Sequence, residues 1–599
     1  WSHNLVLEYL ARGRFAAAPP KLMTTPTTRA ARWRTLPPLL REPVVALAYL
    51  AVALTVALLV LYPTATILVE SVRSPDGLTL ARYQRFFTST YFLHTLYNTL
   101  LVSGIATALS LVLGFAFAYA VTRTDLPLKG FFTAVVLVPM LLPAFLIAFA
   151  LILLLGRNGV INRVLYDLGS WLGLADPSAL QWVIFGSHGV ILAQTLTFFP
   201  MAFLVFSAAL AAIDPRLEEA AEDLGGGYWF TLRRVTLPLL APAAFSSALL
   251  VFMFNVSAFG APAVLGGGRL FFPQASMLAP EAIIQILGLY DWGMGTTIAV
   301  ILVVPSLIIY AFGEYYLKKR SYVTVTGTPT AYTLRAVPRG VKWTLFAICL
   351  LVSVFIVSVV LVVVAGAFTR TWGVNYELTW RHMNTALTAS RASIVNSLVL
   401  SGGGAAASAV FGILSAYLFT RRPFPGVRVL DFTAMLPYAL PGVVMGLGFA
   451  VAFGGRWSWI VLTGTAAIIF LNHFIRRMPF GIRSGSSALK QVDPVIEEAA
   501  ADLGAKPVYA FRRVVFPLLR ATVMGAFVFG FINMMTDITA VIFLVSPRYR
   551  LLSVDLFNAI DAGRLGVAAA LSVIMIVSTF AVLLLVWRLS GKGLEFLRR

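Results

Sequence analysis

Residues Asp214–Ala243 read DPRLEEAAEDLGGGYWFTLRRVTLPLLAPA, and Asp493–Thr522 read DPVIEEAAADLGAKPVYAFRRVVFPLLRAT. At a shift of 279, 15 of these 30 positions are identical. Upstream, Asn98 and Asn396 open similar apolar segments, and Pro139/Pro143 match Pro437/Pro441 at a shift of 298. The 19-residue difference is extra sequence in the first copy, around Gly156 to Gly186. An internal repeat of this kind restricts the fold to one unit built twice in tandem.

The unit is built for a membrane. Apolar residues make up 59% of the 599 positions and charged ones 12%, against about 25% charged in a soluble domain. An ordinary soluble enzyme is excluded. A span needs about 20 mostly apolar residues. Such segments begin near Val44, Tyr97, Phe131, Val183, Leu237 and Thr296, and again near Lys342, Ile394, Leu430, Trp457, Pro517 and Gly566. The one near Trp457 is the least sharply bounded. The expected fold is an all-α membrane protein of about 12 transmembrane helices in two tandem six-helix halves. Six spans per half make the repeats parallel.

The net charge of +21 would point to nucleic acid in a soluble protein. Here, 33 of the 46 Lys/Arg fall in the two termini and every second loop, against 13 on the other side. Basic residues collect in cytoplasmic loops, so both termini are expected inside, with no nucleic-acid partner. The expected organisation is a cytoplasmic tail (1–42), a first half (43–317), a cytoplasmic linker (318–341), a second half (342–591) and a short cytoplasmic tail (592–599). The first tail has no apolar stretch of signal-peptide length and reads as disordered. The chain opens on Trp1, and Met23 is a candidate start. Cys349 is the one cysteine, which leaves no internal disulfide and no cysteine cluster for zinc or iron–sulfur. It reads as a packed core residue.

The repeated segment is a cytoplasmic loop between the fourth and fifth spans of each half. Asp214 and Asp493 suit an N-cap, and Pro215 and Pro494 suit the first helical position. Glu218, Glu219, Glu497 and Glu498 fall in the early turns, where the helix dipole favours negative charge. Gly225 and Gly504 supply the stop. The adjacent alanines (Ala220, Ala221; Ala499, Ala500) let another surface approach. A short capped helix presented twice suits a partner with two equivalent sockets.

Glu219-Ala220-Ala221, three residues, Gly225, nine residues, Val235, one residue, Leu237-Pro238 resembles the EAA loop of ABC importer permeases. The second copy reads Glu498-Ala499-Ala500, Gly504, Val514, Phe516-Pro517, with Phe in place of Leu. The resemblance runs from about residue 42 onward. It implies a type-I ABC importer permease fold with ATPase-coupling helices at 214–225 and 493–504. Each would engage one of two ATPase subunits, while a periplasmic or lipid-anchored binding protein delivers substrate. The chain has no G-x-x-x-x-G-K-[ST] loop, so ATP and Mg are expected on a separate ATPase chain. The permease itself would be a transport subunit without a cofactor, multi-pass in a bacterial inner membrane. Two permease copies in one chain, together with Gly156-Arg157-Asn158-Gly159, resemble ferric-iron permeases. That branch is related to phosphonate, sugar-phosphate, polyamine and thiamine permeases, which remain alternative substrates.

Polar residues inside spans are costly and mark pathways. Asp537, near Asn533, is the clearest carboxylate in an apolar run, and its first-half counterpart is Ala258, near Asn255 and Ser257. These four polar residues are the candidate translocation path. Alternatively, Asp537 pairs with a loop arginine such as Arg548 or caps a broken helix. His188 and His473 show no metal-ligand spacing and read as packing residues, and no metal site is expected. Pro200 and Pro479 are expected to kink their spans. The rival class is an ion-coupled secondary transporter, for which one isolated carboxylate is thin support. A channel or scaffold leaves the repeated loop unexplained.

Overall fold

The computed structural model describes residues 43–267, 269–319, 337–455 and 460–590. The expected tails (1–42 and 592–599) and most of the expected linker lie outside the described residues. The first half runs through α1 (Pro43–Val72), α2 (Thr90–Arg123), α3 (Lys129–Leu141), α4 (Ala144–Leu155) and α5 (Val160–Trp171). It continues through α6 (Ser187–Ala212), the loop helix α7 (Pro215–Asp223), α8 (Tyr228–Val256), α9 (Leu278–Gly288) and α10 (Trp292–Lys319). The unit Trp1–Ala51 contributes only the opening of α1 to the described structure; the packing lies within Val52–Arg599.

The second half repeats this order without α5. It comprises α11 (Arg339–Phe368), α12 (Arg391–Arg421), α13 (Val427–Ala439), α14 (Gly442–Ala452) and α15 (Ala466–Leu489). The loop helix α16 (Val495–Asp502), α17 (Pro507–Leu518), α18 (Arg520–Met535), α19 (Leu552–Asp561) and α20 (Leu565–Ser590) follow. Two short antiparallel hairpins follow the first helix of each half: β1 (Arg73–Ser74) with β2 (Gly77–Leu78), and β3 (Thr369–Thr371) with β4 (Asn375–Leu378). The extra sequence of the first half forms α5.

The spans differ from the twelve expected in two ways. Nine helical runs among the described residues are long and apolar enough to cross a bilayer, and two bent pairs pass together: α13–α14 at 107° and α17–α18 at 71°. The helix expected to begin near Trp457 is α15, of 24 residues. It carries Arg476, Arg477 and Arg483, which make it more polar than the other spans. Arg476 and Arg477, counted above with a cytoplasmic loop, lie within this helix.

The breaks after α3 and α13 have a local cause. Proline has no N–H and disfavours helical backbone in the residue before it. Leu142, before Pro143, is extended (φ −103°, ψ 144°), as is Leu440 before Pro441 (φ −80°, ψ 131°). The helices that restart, α4 and α14, are apolar all round, and every residue of α14 is buried. Such helices belong inside a protein shell. Pro200 and Pro479, by contrast, sit inside α6 and α15, which continue through them.

Two kinds of packing assemble the bundle. Within each half, α2 crosses α6 and α12 crosses α15 at small residues. A Cβ on Gly114 would lie 2.6 Å from the Ala202 Cβ, and one on Gly412 would lie 2.8 Å from the Gly481 Cα. Between halves, the first helix of one packs on the buried half-helix of the other. Tyr62 Oη donates to Ala452 O at the end of α14 (3.3 Å), and Trp372 Nε1 in the second hairpin donates to Leu153 O in α4 (3.0 Å). Close approach through small residues is how helices associate in lipid, where burial of apolar surface drives little. Cys349 is fully buried in the core around Phe117, Phe132 and Phe199.

Candidate functional site

The two loop helices are built from the same local parts. Asp214 Oδ1 accepts from the Arg216 backbone N–H at 3.0 Å, and Asp493 Oδ1 accepts from that of Val495 at 3.0 Å. Each therefore satisfies an orphan donor of the first turn. At the other end, Gly225 N–H reaches Glu222 O and Gly226 N–H reaches Ala221 O; Gly504 and Ala505 repeat this on Ala501 and Ala500. This paired closure needs left-handed backbone at its central residue, which Gly225 (φ +85°) and Gly504 (φ +84°) supply.

The helices are tied to the bundle by buried charge. Arg123, the last residue of α2, donates from Nη2 to Leu210 O (2.9 Å) and Ile213 O (3.4 Å), and its Nε lies 3.8 Å from Glu218 Oε1. The same Glu218 oxygen accepts from the Thr236 hydroxyl at 2.7 Å. Arg421, last in α12, donates to Leu489 O (2.9 Å) and Val492 O (2.5 Å), with Nε 3.2 Å from Glu497 Oε1. Tyr417 Oη donates to the other Glu497 oxygen at 3.2 Å. In both copies the Nε contact is an ion pair without hydrogen-bond alignment, and the hydrogen bonds go to backbone carbonyls at the ends of α6 and α15.

Helical spacing then separates the motif into two faces. Glu218 and Ala221 turn inward, while Glu219, Glu498, Ala220 and Ala499 are exposed. Beside the alanines stand Leu217 and Leu224, and in the second copy Ile496 and Leu503. Leu224 and Leu503 are 89% and 90% exposed, which makes them apolar knobs at matching places. An open groove at the first helix is lined by Leu217, Ala220, Leu224, Phe230 and Val235. The motif reading missed these leucines and the arginine anchors, although Leu224/Leu503 and Arg123/Arg421 recur at the two repeat shifts.

The interior differs between halves. Asp537 is 7% exposed and follows α18, where its Oδ2 pairs with Arg476 Nη1 of α15 and its Oδ1 accepts from Thr539 Oγ1 (2.9 Å). Its partner is thus an arginine within a span, not Arg548. Two adjacent guanidiniums in an apolar run are themselves a functional signal, and one that the hydropathy boundaries concealed. Asn533 and Ser257 are half-buried; Asn533 Nδ2 donates to Phe529 O at 2.9 Å. Asn255 is fully buried and donates to Thr107 Oγ1 (3.1 Å), while its backbone carbonyl accepts from Gln194 (3.4 Å). Among the described residues, the hydrogen bonds and ion pair of Asp537, Asn533 and Asn255 go to other partners and not to one another. His188 stacks on Trp182 at 5.4 Å, and its Nε2 lies 2.7 Å from Val183 O. Among the described residues, no three His, Cys, Asp or Glu side chains converge as metal ligands.

Residues 110–322 and 408–591 each match the family described as "Binding-protein-dependent transport system inner membrane component". The chain is similar to the ferric transport system permease protein FbpB of Actinobacillus pleuropneumoniae, 31% identical over 547 residues, covering 90% of this chain and 77% of that one. It is 30% identical over 509 residues to the putative ferric transport system permease protein FbpB 1 of Haemophilus influenzae, covering 84% and 78%. A shorter stretch of 163 residues, 27% of this chain and 67% of the relative, is 33% identical to the molybdenum transport system permease protein ModB of Escherichia coli. Two family units, each with its capped loop helix and bundle of apolar helices, make this chain an ABC importer permease of the binding-protein-dependent inner-membrane family, multi-pass and fused from two copies.

Proposed function

We propose that the chain forms the pore of an ATP-driven importer for ferric iron, with α7 and α16 as its coupling helices. The duplicated loop carries this reading: two capped helices, each anchored through an Arg–Glu pair and each offering an exposed leucine, fit two equivalent sockets on two ATPase subunits. Residues 214–225 and 493–504 are the docking segments. A substrate-binding protein delivers cargo at the opposite face, and both termini are cytoplasmic. ATP and Mg belong to the partner subunits. The candidate passage runs between the halves past Asp537, Asn533 and Ser257, with Asn255 behind the first-half wall. Ferric iron is favoured because the relatives matching most of the chain are named as ferric transport permeases.

Co-purification with candidate ATPase subunits tests the coupling. Substituting Glu219 and Glu498, or deleting Gly225 and Gly504, is expected to abolish association and transport; survival of both would refute the coupling-helix reading. The ligand of the partner binding protein tests the substrate. A binding protein that takes a phosphonate or a polyamine and ignores ferric iron would refute the iron reading.

A further inference from the structure

Arg477 follows the paired Arg476 on α15 and lies deep among protein atoms, yet it keeps accessible surface. Tyr438 on α13 is 36% exposed, and the two side chains are close enough to interact electrostatically. In the importer reading above, these accessible side chains line an opening between the halves. Across that opening, Tyr438 meets the edge of Phe254 of the first half (centroids 6.1 Å apart), and Phe254 stacks on Phe198 (5.9 Å). At a shift of 279, Phe198 corresponds to Arg477 and Phe254 to Asn533. One half therefore walls the opening with stacked rings, and the other with a guanidinium and an amide.

The carboxylate nearest Arg477 is already engaged. Asp537 offers the nearby carboxylate, and its two oxygens serve Arg476 and Thr539. Arg477 makes no direct hydrogen bond or ion pair among the described residues, and meets Asp537 only at longer range. His473, one turn earlier on the same helix face, is 1% exposed, and its Nε2 also lacks a partner. A guanidinium has five donors in a planar fork and no acceptor, and an unpaired charge inside a membrane protein is costly. A ligand with paired anionic oxygens supplies what the site lacks.

We propose that Arg477 centres an oxyanion-binding station in the passage between the halves, so that cargo crosses as an oxyanion, or as a metal ion held by oxyanion ligands, and not as a bare cation. Two guanidiniums against one carboxylate leave the site positive, which repels a bare trivalent ion. The inference rests on the importer reading of this passage and adds the chemical class that the passage accepts.

Thermal unfolding of the purified full-length chain with its ATPase subunits, without ATP, reads the binding directly. Inorganic phosphate, sulfate or citrate is expected to raise the midpoint through linkage, and chloride at equal ionic strength is not. Arg477→Gln removes that response and Arg477→Lys keeps part of it; the midpoints in chloride establish that each variant folds. An Arg477→Gln response equal to the parent's, or no parental response to any of the three anions at about 10 mM, alone or with ferric iron, overturns the proposal. Citrate acting alone identifies a free oxyanion as the ligand, and citrate acting only with ferric iron identifies the complexed metal. In proteoliposomes with binding protein and ATP, Arg477→Gln should cut uptake about ten-fold or more with a raised KM, and uptake unchanged from the parent's refutes the station. Absence of ATP-driven uptake in the parent would refute the importer reading instead, because anion binding is measured without ATP.

Discussion

Arg123 and Glu218 form an ion pair with both side chains buried, joining the end of α2 to the helix of the repeated loop. Arg421 and Glu497 repeat it in the second half. Removing one member of a buried pair leaves an uncompensated charge and costs about 3–5 kcal/mol. Glu218→Gln and Glu497→Gln should therefore lower thermal stability and yield, more in the first half, where the pair is better shielded. Glu219→Gln lies on an exposed face and should stay within about 0.5 kcal/mol of the parent. Equal melting of Glu218→Gln and Glu219→Gln in detergent would contradict this division of the motif.

Gly225 and Gly504 end their helices in left-handed backbone, and a Cβ at either would meet nothing within 4 Å. The cost of substitution is thus conformational alone, about 1–2 kcal/mol for a residue with a Cβ. Alanine should fray the loop helix and loosen ATPase association while the bundle stays folded. Asparagine, which tolerates this backbone, should retain more association than alanine. Pull-down of the ATPase by the three forms ranks them.

The exposed leucines should carry docking and not folding. Leu224→Asp with Leu503→Asp replaces two almost fully exposed side chains, and surface changes of this kind usually move stability by less than about 0.5 kcal/mol. Normal melting with loss of ATPase binding is the expected result. A doubly substituted chain that still captures the ATPase would show that the knobs do not face it.

The repeated loop was legible because its chemistry is local: an Asp cap, a Gly stop and their spacing are properties of consecutive residues. The anchors were not, since Arg123 and Glu218 are 95 positions apart and only the crossing of α2 with α6 brings them together. Hydropathy also misplaced α15. Its two central arginines look like the end of a span, so the boundary slid outward toward Trp457 and the charges were assigned to a loop. The bends at Leu142–Pro143 and Leu440–Pro441 were readable from the prolines alone, but an apolar window runs across them unchanged. Asp537 stood out as a lone carboxylate, while its partner Arg476 was hidden by the same boundary error.

On the face that bears the repeated loops, Lys342 Nζ donates to Asp125 Oδ2 at 2.7 Å, linking the start of α11 to the turn after α2. The Lys342 ammonium holds the Asp125 carboxyl below its ordinary 3.8. A carboxyl whose folded value is depressed stabilises the fold above its unfolded value, and loses that contribution as pH falls through the folded value. Asp125→Asn should therefore destabilise slightly at neutral pH, and the difference from the parent should shrink as pH falls below the ordinary 3.8 and on through the depressed folded value. Parallel melts across pH 3 to 7 check the sign; a difference that grows toward acid would exclude the pairing.

Arg476 and Asp537 hold the end of α18 against the middle of α15, in a region where the first half has Thr197 and Ala258 and needs no charge. Asp537→Asn should be severe, about 3–5 kcal/mol, because it strands Arg476 and takes the nearest carboxylate from Arg477. Arg476→Met combined with Asp537→Leu should recover much of that loss, since replacing a buried pair by apolar groups is often neutral. The double variant keeps Arg477, so it also separates support from cargo chemistry. Recovered melting together with recovered uptake would assign the pair to holding the helices. Recovered melting without uptake would assign the carboxylate to the passage itself. Failure of the double variant to melt above Asp537→Asn would contradict the pairing on which both outcomes depend.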